Sequence, residues 1–425
     1  MPRWRGFCIC LAMVLTGVSC PGDGDGAGDG DGGGAALEGE RVEVAIPWSG
    51  ADEERFAAVV ARFEERTGAT VKLTSMDGDV AGVLNARVAE GDAPDVAVVP
   101  GPRILGALAV RNALVPLSEA TAEMVDRNYA PVWRELGTAN GRLYGVWFKA
   151  RNQSTLWFDP RVLAAAGVAA PTTWEELKAA AATLAGAGIA PFSLGAADSP
   201  AVTDWFENVY LRTAGTIAYI DLARHQLAWD DPTVVQALTT MGEVLRPEWL
   251  AGGPPGALQT GAGASVSGVF ADPPKAGFVL AADPAAVPDR AGVVEFPAIG
   301  ASPPSAVVGA EAAVLLADTP GGRALVEFLA TPDAAEVWAG LGGFTSPNRN
   351  VDPSTYRTDA QRRVAAALTG AQDVRYDMSD LQPPPFGADP RQGLWPLFGE
   401  YLANPAAAAD VAARMENIAS GIFEP

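Results

Sequence analysis

The strongest constraint on the fold is a strand and helix rhythm that starts at Arg41, breaks for one long strand, and starts again. Val42, Val44 and Ile46 alternate as in a strand, and Phe56, Val59, Val60 and Phe63 recur at helical spacing up to Gly68. Val71 and Leu73 mark a second strand, Leu84 and Val88 a second helix, and DVAVV at 95–99 a third strand. A β-α-β-α-β order of this kind implies a parallel sheet covered by helices, an α/β fold.

The break is NGRLYGVWFKARNQSTLWFDP at 140–160, an Asn-Gly turn followed by a long run of aromatic and β-branched residues. Such a strand is long enough to cross between two bodies. The rhythm then resumes. Thr172 and Thr173 stand three residues before Glu175 and Glu176, two overlapping capping-box patterns that open a helix reaching Gly188. APFSLG at 190–195 reads as the next strand, VVEF at 293–296 as another, and SAVVGAEAAVLLAD at 305–318 as a second long one. Thr319-Pro320, Thr331-Pro332 and Asn404-Pro405 each place an N-cap before a proline that suits the first helical position. Two α/β halves joined by long strands predict two lobes with a hinge and a ligand between them.

Ahead of this body stands an export label. Arg3 and Arg5 lead into an apolar run from Phe7 to Val18, too short to span a bilayer but of signal-peptide length. Residues 1–19 are read as the signal. Thr16, Gly17 and Ser19 precede Cys20, and PGDGDGAGDGDGGG follows it, a pattern similar to a bacterial lipoprotein signal, with Gly17 where an aliphatic residue is usual. Cys20 is the candidate lipid anchor, tethering the protein to the outer face of the cell membrane; the alternative is an ordinary cleaved signal. Residues 20–40 form a flexible Gly/Asp linker. Alternating Asp suggests a calcium loop, but the closing Glu and flanking helices of an EF-hand are missing.

Charge and composition exclude several functions. The formal charge of −21 becomes −23 once Arg3 and Arg5 leave, which argues against nucleic acid. Cys8 and Cys10 leave too, so no disulfide or thiol chemistry remains in the body. No G-x-S-x-G, P-loop or dinucleotide fingerprint is present. His225 is the one histidine, read as a solvated surface residue, so neither a histidine metal cluster nor a His-based triad is expected. The Glu175-Glu176 pair is explained by capping rather than by glycosidase chemistry. The chain is therefore expected to have no catalytic residue, no metal and no cofactor.

Four segments bear a family likeness: VEVAIPWSGADEERFAAVVARFEERTG; LYGVWFKARNQSTLWFDP followed by PTTWEEL; LVEFLATPDAAEVWAGLGGFTSPNRNV; and SDLQPPPFG. Their order and spacing resemble the family 1 extracellular solute-binding proteins of bacterial ABC importers. Within that family, WSG in the first loop, GGF followed by SPN, and SDL with its prolines are most similar to the α-glucoside-type binding proteins. The resemblance implies a two-lobed periplasmic-binding-protein-like fold of type II, closing on a sugar and docking as a monomer on membrane permease subunits. It places residues 41–150 and 307–345 in the N-terminal lobe, and 151–306 and 346–425 in the C-terminal lobe. Where that group carries a Cys and a basic segment after Pro273-Pro274, this chain has KAGFVLAAD; the second Cys expected near Ser193 is absent as well.

A sugar offers a C–H face to an aromatic ring and hydroxyls to carboxylates, amides and guanidinium groups. Trp48, after the first strand, is the leading candidate for such a platform, with a buried staple as the alternative. Ser49 and Asp52 either meet the ligand or cap the following helix. Arg151 and Asn152 lie in the crossing strand, as ligand contacts or as a solvated edge. Asp204 and Trp205 match the TDW pattern of the family, where Asp204 binds hydroxyls or caps. Phe270 and Asp272 occupy the position of a cleft loop. Phe344, Ser346 and Asn348 stand where the chain returns to the second lobe, and Asp380 and Trp395 belong to the C-terminal portion, where Trp395 is either a platform or core. Trp133, Trp147, Trp157 and Trp338 are assigned to packing. Two other functions compete: a tethered sensor serving a signalling partner, and a glycoside hydrolase.

Overall fold

The computed structural model describes residues 37–281 and 287–423. The signal, Cys20 and most of the Gly/Asp linker lie outside the described residues. Twelve strands follow in order: β1 (Arg41–Ile46), β2 (Thr70–Ser75), β3 (Val96–Pro100), β4 (Thr138–Ala139), β5 (Arg142–Leu143), β6 (Gly145–Asn152), β7 (Thr155–Phe158), β8 (Ala190–Ser193), β9 (Ala276–Leu280), β10 (Gly292–Glu295), β11 (Ser305–Leu315) and β12 (Asp373–Tyr376).

They build two main sheets. In the first, β1 pairs in parallel with β2 and β3, as the early alternation requires. Its spine is β11, buried along its whole length. One edge of β11 pairs Ser305–Val308 in parallel with β12 and Glu311–Leu315 antiparallel with β3; β6 runs antiparallel along the other edge. The second sheet has the order β10-β7-β9-β8.

The long strand predicted at 140–160 is thus divided. β6 belongs to the first sheet and β7 to the second, and the chain crosses at Gln153 and Ser154. Ser154 ties the crossing down from three sides: its Oγ accepts from Val307 N at 2.8 Å and donates to Asn208 Oδ1, and its carbonyl accepts from Phe296 N at 2.7 Å.

Each sheet has its own apolar core. The first gathers Val44, Phe56, Val98, Trp147, Val314 and Trp338; the second gathers Trp205, Phe206, Tyr210, Trp229, Phe278 and Tyr401. Trp133, Trp147, Trp157 and Trp338 are all buried, as their helix and strand positions imply. The chain after residue 346, which the sequence reading gave wholly to the second lobe, divides. Val351, Tyr356, Leu368, Val374 and Tyr376 pack into the first core, and Met378 onward into the second.

Most local signals behave as the chemistry predicts, although Asn404 makes no side-chain cap before Pro405. Thr173 closes a full capping box with Glu176, and Thr319 and Thr331 each accept from a backbone N–H of helices that begin with proline. The first helix (Ala51–Thr67) differs: its N-cap is Gly50, with no side-chain cap, so neither Ser49 nor Asp52 serves there. Asp52 is engaged elsewhere. His225 is not a solvated surface residue; its Nε2 lies 3.1 Å from Glu416 Oε2 and its ring packs on Phe423 at 4.8 Å.

Candidate ligand-binding site

The crossing strands set the geometry. Lys149 and Arg151 on β6 are two residues apart and so project from one face, and β11 brings Glu311 up beside them. Arg151 Nη1 donates to Glu311 Oε1 at 2.7 Å; Glu311 is buried, while the Arg151 side chain keeps 37% of its surface. Glu311 holds the guanidinium even further above its ordinary value, in opposition to burial.

Three aspartates complete a charged cluster around Arg151. Asp204 lies in the first turn of the helix Ala201–Ala223, whose N-cap is Pro200 with no side-chain cap, so Asp204 is not the cap. Asp377 caps the single-turn helix Met378–Leu381 and accepts from Gln153 Nε2 at 2.8 Å. Asp380 is the acidic residue of that turn and is exposed. Burial, then repulsion from Asp377 and Asp380, pushes the Asp204 carboxyl well above the usual range, with Arg151 pulling the other way. Although Asp380 is open to solvent at its edge, desolvation by the protein packed around it and the charge of Asp377 raise its carboxyl to about 6, against the attraction of Arg151 and Arg103.

Buried polar atoms normally find partners, so those without one call for explanation. Asp204 Oδ1, Glu311 Oε2, Gln153 Oε1 and both amide atoms of Gln382 are buried and unpartnered. The other unpartnered buried side-chain atoms described are five indole N–H groups and Arg375 Nε. Thus every unpartnered carboxylate and amide among the described residues lies on or beside the crossing strands and the Asp377–Gln382 turn. Hydroxyl donors and acceptors of a ligand would complete them.

Trp48 stands next to this cluster, on the strip continued by Lys149. Lys149 Nζ lies 2.8 Å from Asp52 Oδ2 and 4.6 Å from the Trp48 ring centroid. Burial works against the Asp52 charge, yet Lys149 and Arg55 hold that carboxyl below its ordinary value. The indole meets Phe56, Phe148 and Trp338 edge-on, at 5.5, 6.3 and 5.2 Å, and remains partly exposed; Ser49 beside it is exposed. Trp48 is thus packed as a staple while part of its ring stays open to solvent.

The structure brings Arg151, Asp204 and Asp380 together and puts Trp48 and Ser49 alongside. Others go elsewhere. Asn152, 1% exposed, accepts from Ser154 N and fixes the crossing turn. Trp205 is buried against Phe192 and Phe296. Phe344 is stacked on Trp338 at 5.2 Å inside the first core. Asn348 is buried, donating to Ala330 O, and Ser346 accepts from Asn348 N. These four predicted contacts, Asn152, Trp205, Phe344 and Asn348, are therefore internal supports, because tertiary packing closes over them. Phe270 packs under Arg290 at 5.7 Å, and Asp272 is exposed beyond it, in a separate region. Trp395 is half-buried against Pro200, Thr203 and Phe398, behind the start of the Asp204 helix.

Sequence reasoning missed Lys149, Glu311, Asp377, Gln153 and Gln382. A signal existed for two of them: Glu311 is the lone charge in the apolar run SAVVGAEAAVLL, and Lys149 interrupts GVWFKA. A cavity of about 520 Å³ that none of the cluster's side chains lines is walled by Leu105 and Gly106 of the first body, Tyr219 and Phe423 of the second, and Tyr376 and Leu381.

A family model, "Bacterial extracellular solute-binding protein", matches residues 48–336. The chain belongs to that family.

This solute-binding protein is a receptor and not an enzyme. It is 34% identical to the osmoprotective compounds-binding protein GgtB of Synechocystis sp. over 368 residues, covering 83% of this chain and 86% of GgtB. It is 31% identical to the alpha-glucosides-binding periplasmic protein AglE of Rhizobium meliloti over 407 residues, covering 89% and 87%. Among solved structures, the bacterial solute receptor AcbH, described as preferring β-D-galactopyranose, superposes with a TM-score of 0.75 at 17% identity, covering 91% of this chain and all of AcbH. That likeness concerns the fold. As a member of an extracellular family, the solute-binding protein acts outside the cytoplasm.

Proposed function

We propose that this receptor captures a neutral carbohydrate, an α-glucoside or a short oligosaccharide, between its lobes and delivers it to the membrane permease of an ABC importer. The observation that carries this reading is the set of unpartnered carboxylate and amide atoms of Asp204, Glu311, Gln153 and Gln382 around Arg151, with the Trp48 indole at its side. A polyol supplies hydroxyls that both donate and accept, which suits such a mixed set. The name of AglE, an alpha-glucosides-binding protein, supports a glucoside-like solute. Ligand contacts are assigned to Trp48, Ser49, Arg151, Asp204 and Asp380, joined by Glu311 and Gln382. The receptor works as a monomer, held at the outer face of the membrane by an acylated Cys20, with the Gly/Asp tract as its leash.

Thermal unfolding of the soluble form against a panel of sugars tests the proposal. A bound ligand at about 100 times its Kd adds roughly 2.7 kcal/mol and raises the midpoint. If amino acids or peptides raise it and no mono- or oligosaccharide does, the carbohydrate assignment fails.

A further inference from the structure

A second cavity, about 550 Å³, lies away from the charged cluster, behind the crossing strands. Thr155, the first residue of β7, forms part of its wall, and so does Pro304, which precedes β11. The helix Asp359–Gly370 forms another side through Arg363 and Val364. That helix touches both bodies: Ala365 and Leu368 pack in the first core, while Ala360 and Val364 pack around Trp157 of the second sheet. The cavity therefore sits where the two bodies join.

Its floor is Arg212, which is 7% exposed. Nη1 donates to Asn208 O at 3.2 Å and Asn208 Oδ1 at 3.1 Å, and Nη2 donates to Ser305 O at 2.7 Å. The guanidinium lies 4.9 Å from the Phe296 ring centroid. All these partners are neutral. A buried cation without a carboxylate is costly. Burial accordingly pulls its pKa down to about 9, and Glu295, exposed on the cavity rim, offsets this only in part. Arg363, exposed across the opening, adds a second positive charge. In a chain of net charge −21, two arginines converging on a preformed cavity with apolar walls are a local exception.

We infer that this cavity is an anion-binding site, taking a small solute with a carboxylate or phosphate group that reaches Arg212 and Arg363, its body lying against Phe296 and Val364. The site is distinct from the sugar cluster and does not depend on the sugar assignment. Because Arg212 holds Ser305, the first residue of β11, an occupant would bear on the strand along which the bodies are joined.

The test is calorimetric titration of the sugar-free, full-length mature protein with inorganic phosphate and with citrate, in a chloride buffer of constant ionic strength. The inference expects saturable binding of at least one of the two anions. R363E, an exposed substitution that leaves the core intact, should weaken that binding at least tenfold, and E295Q should strengthen it about two- to threefold, as expected for an exposed like charge removed. The midpoint of thermal unfolding without anion checks that both variants are folded. No saturable binding of either anion overturns the inference, and so does binding that R363E leaves unchanged, since the anion would then sit elsewhere, for instance at Arg151. Sugar affinity measured on the same R363E sample should match the unmodified protein, which separates failure of this site from failure of the sugar reading.

Discussion

Arg151 and Glu311 pair at 2.7 Å between two antiparallel strands, with the carboxylate buried and the guanidinium partly open to solvent. The pair is asymmetric, and the asymmetry has consequences. Glu311 needs the arginine more than the arginine needs it, because an unpaired buried charge is far costlier than a hydrated one. The 37% of the Arg151 side chain left uncovered is the part that the proposed ligand would meet.

Removing the arginine should cost more than removing the acid. R151M strands the Glu311 carboxylate and should lower the unfolding free energy by about 3 kcal/mol, whereas E311Q should lower it by about 1 kcal/mol. Urea denaturation of both variants checks the order. Equal losses would mean that the pair is effectively solvated.

Trp48 links affinity to stability. Its ring edges fill space against Phe56 and Trp338, so W48A should cost about 1–2 kcal/mol of stability in addition to weakening sugar binding about tenfold or more. A ring serving only as a surface platform would cost little stability; the aromatic packing raises the loss. Calorimetry and denaturation on the same variant measure the two effects separately.

Asp380, raised to about 6, makes binding pH-sensitive. A carboxylate accepts from sugar hydroxyls and its protonated form does so poorly, so affinity should fall about tenfold from pH 7 to pH 5. The stability effect has the opposite sign. A carboxyl whose pKa is raised on folding favours the native state at low pH, and that contribution is lost as pH climbs through about 6. D380N should flatten the affinity profile between pH 5 and 7, measured by titration at each pH.

Asp159 carries the reverse case. Arg161, with its own N–H and Arg290 assisting against burial, holds this buried carboxylate at about 2. Its stabilisation is present above the ordinary aspartate value of about 3.9 and is lost as pH falls toward 2. D159N keeps the helix cap but not the charge, and should cost about 1 kcal/mol at pH 7 and only a fraction of that at pH 2, where the carboxyl is half protonated, read from unfolding midpoints.

Much of this was legible in the chain. Period-2 and period-3.6 patterns located β1, β3 and the first helix, and threonine before proline located two caps, because those signals are local. Arg151, Asp204 and Asp380 were legible as candidates through the family resemblance. The aromatic residues were harder. Trp48, Trp205 and Phe344 look alike in sequence, and only the packing of Phe192 and Phe296 on Trp205, or of Trp338 on Phe344, decides which are enclosed. Glu311 went unread for a similar reason: a lone charge in an apolar strand announces a partner without naming it, and Arg151 is 160 residues away.

The most direct test uses Asp204, whose buried Oδ1 has no partner. Calorimetric titration with an α-glucoside should give saturable binding to the unmodified receptor and at least a hundredfold weaker binding to D204A, while the thermal midpoint of sugar-free D204A stays level or rises because an uncompensated buried carboxyl is gone. Undiminished sugar affinity in D204A would contradict the account, placing the ligand away from the Arg151 cluster.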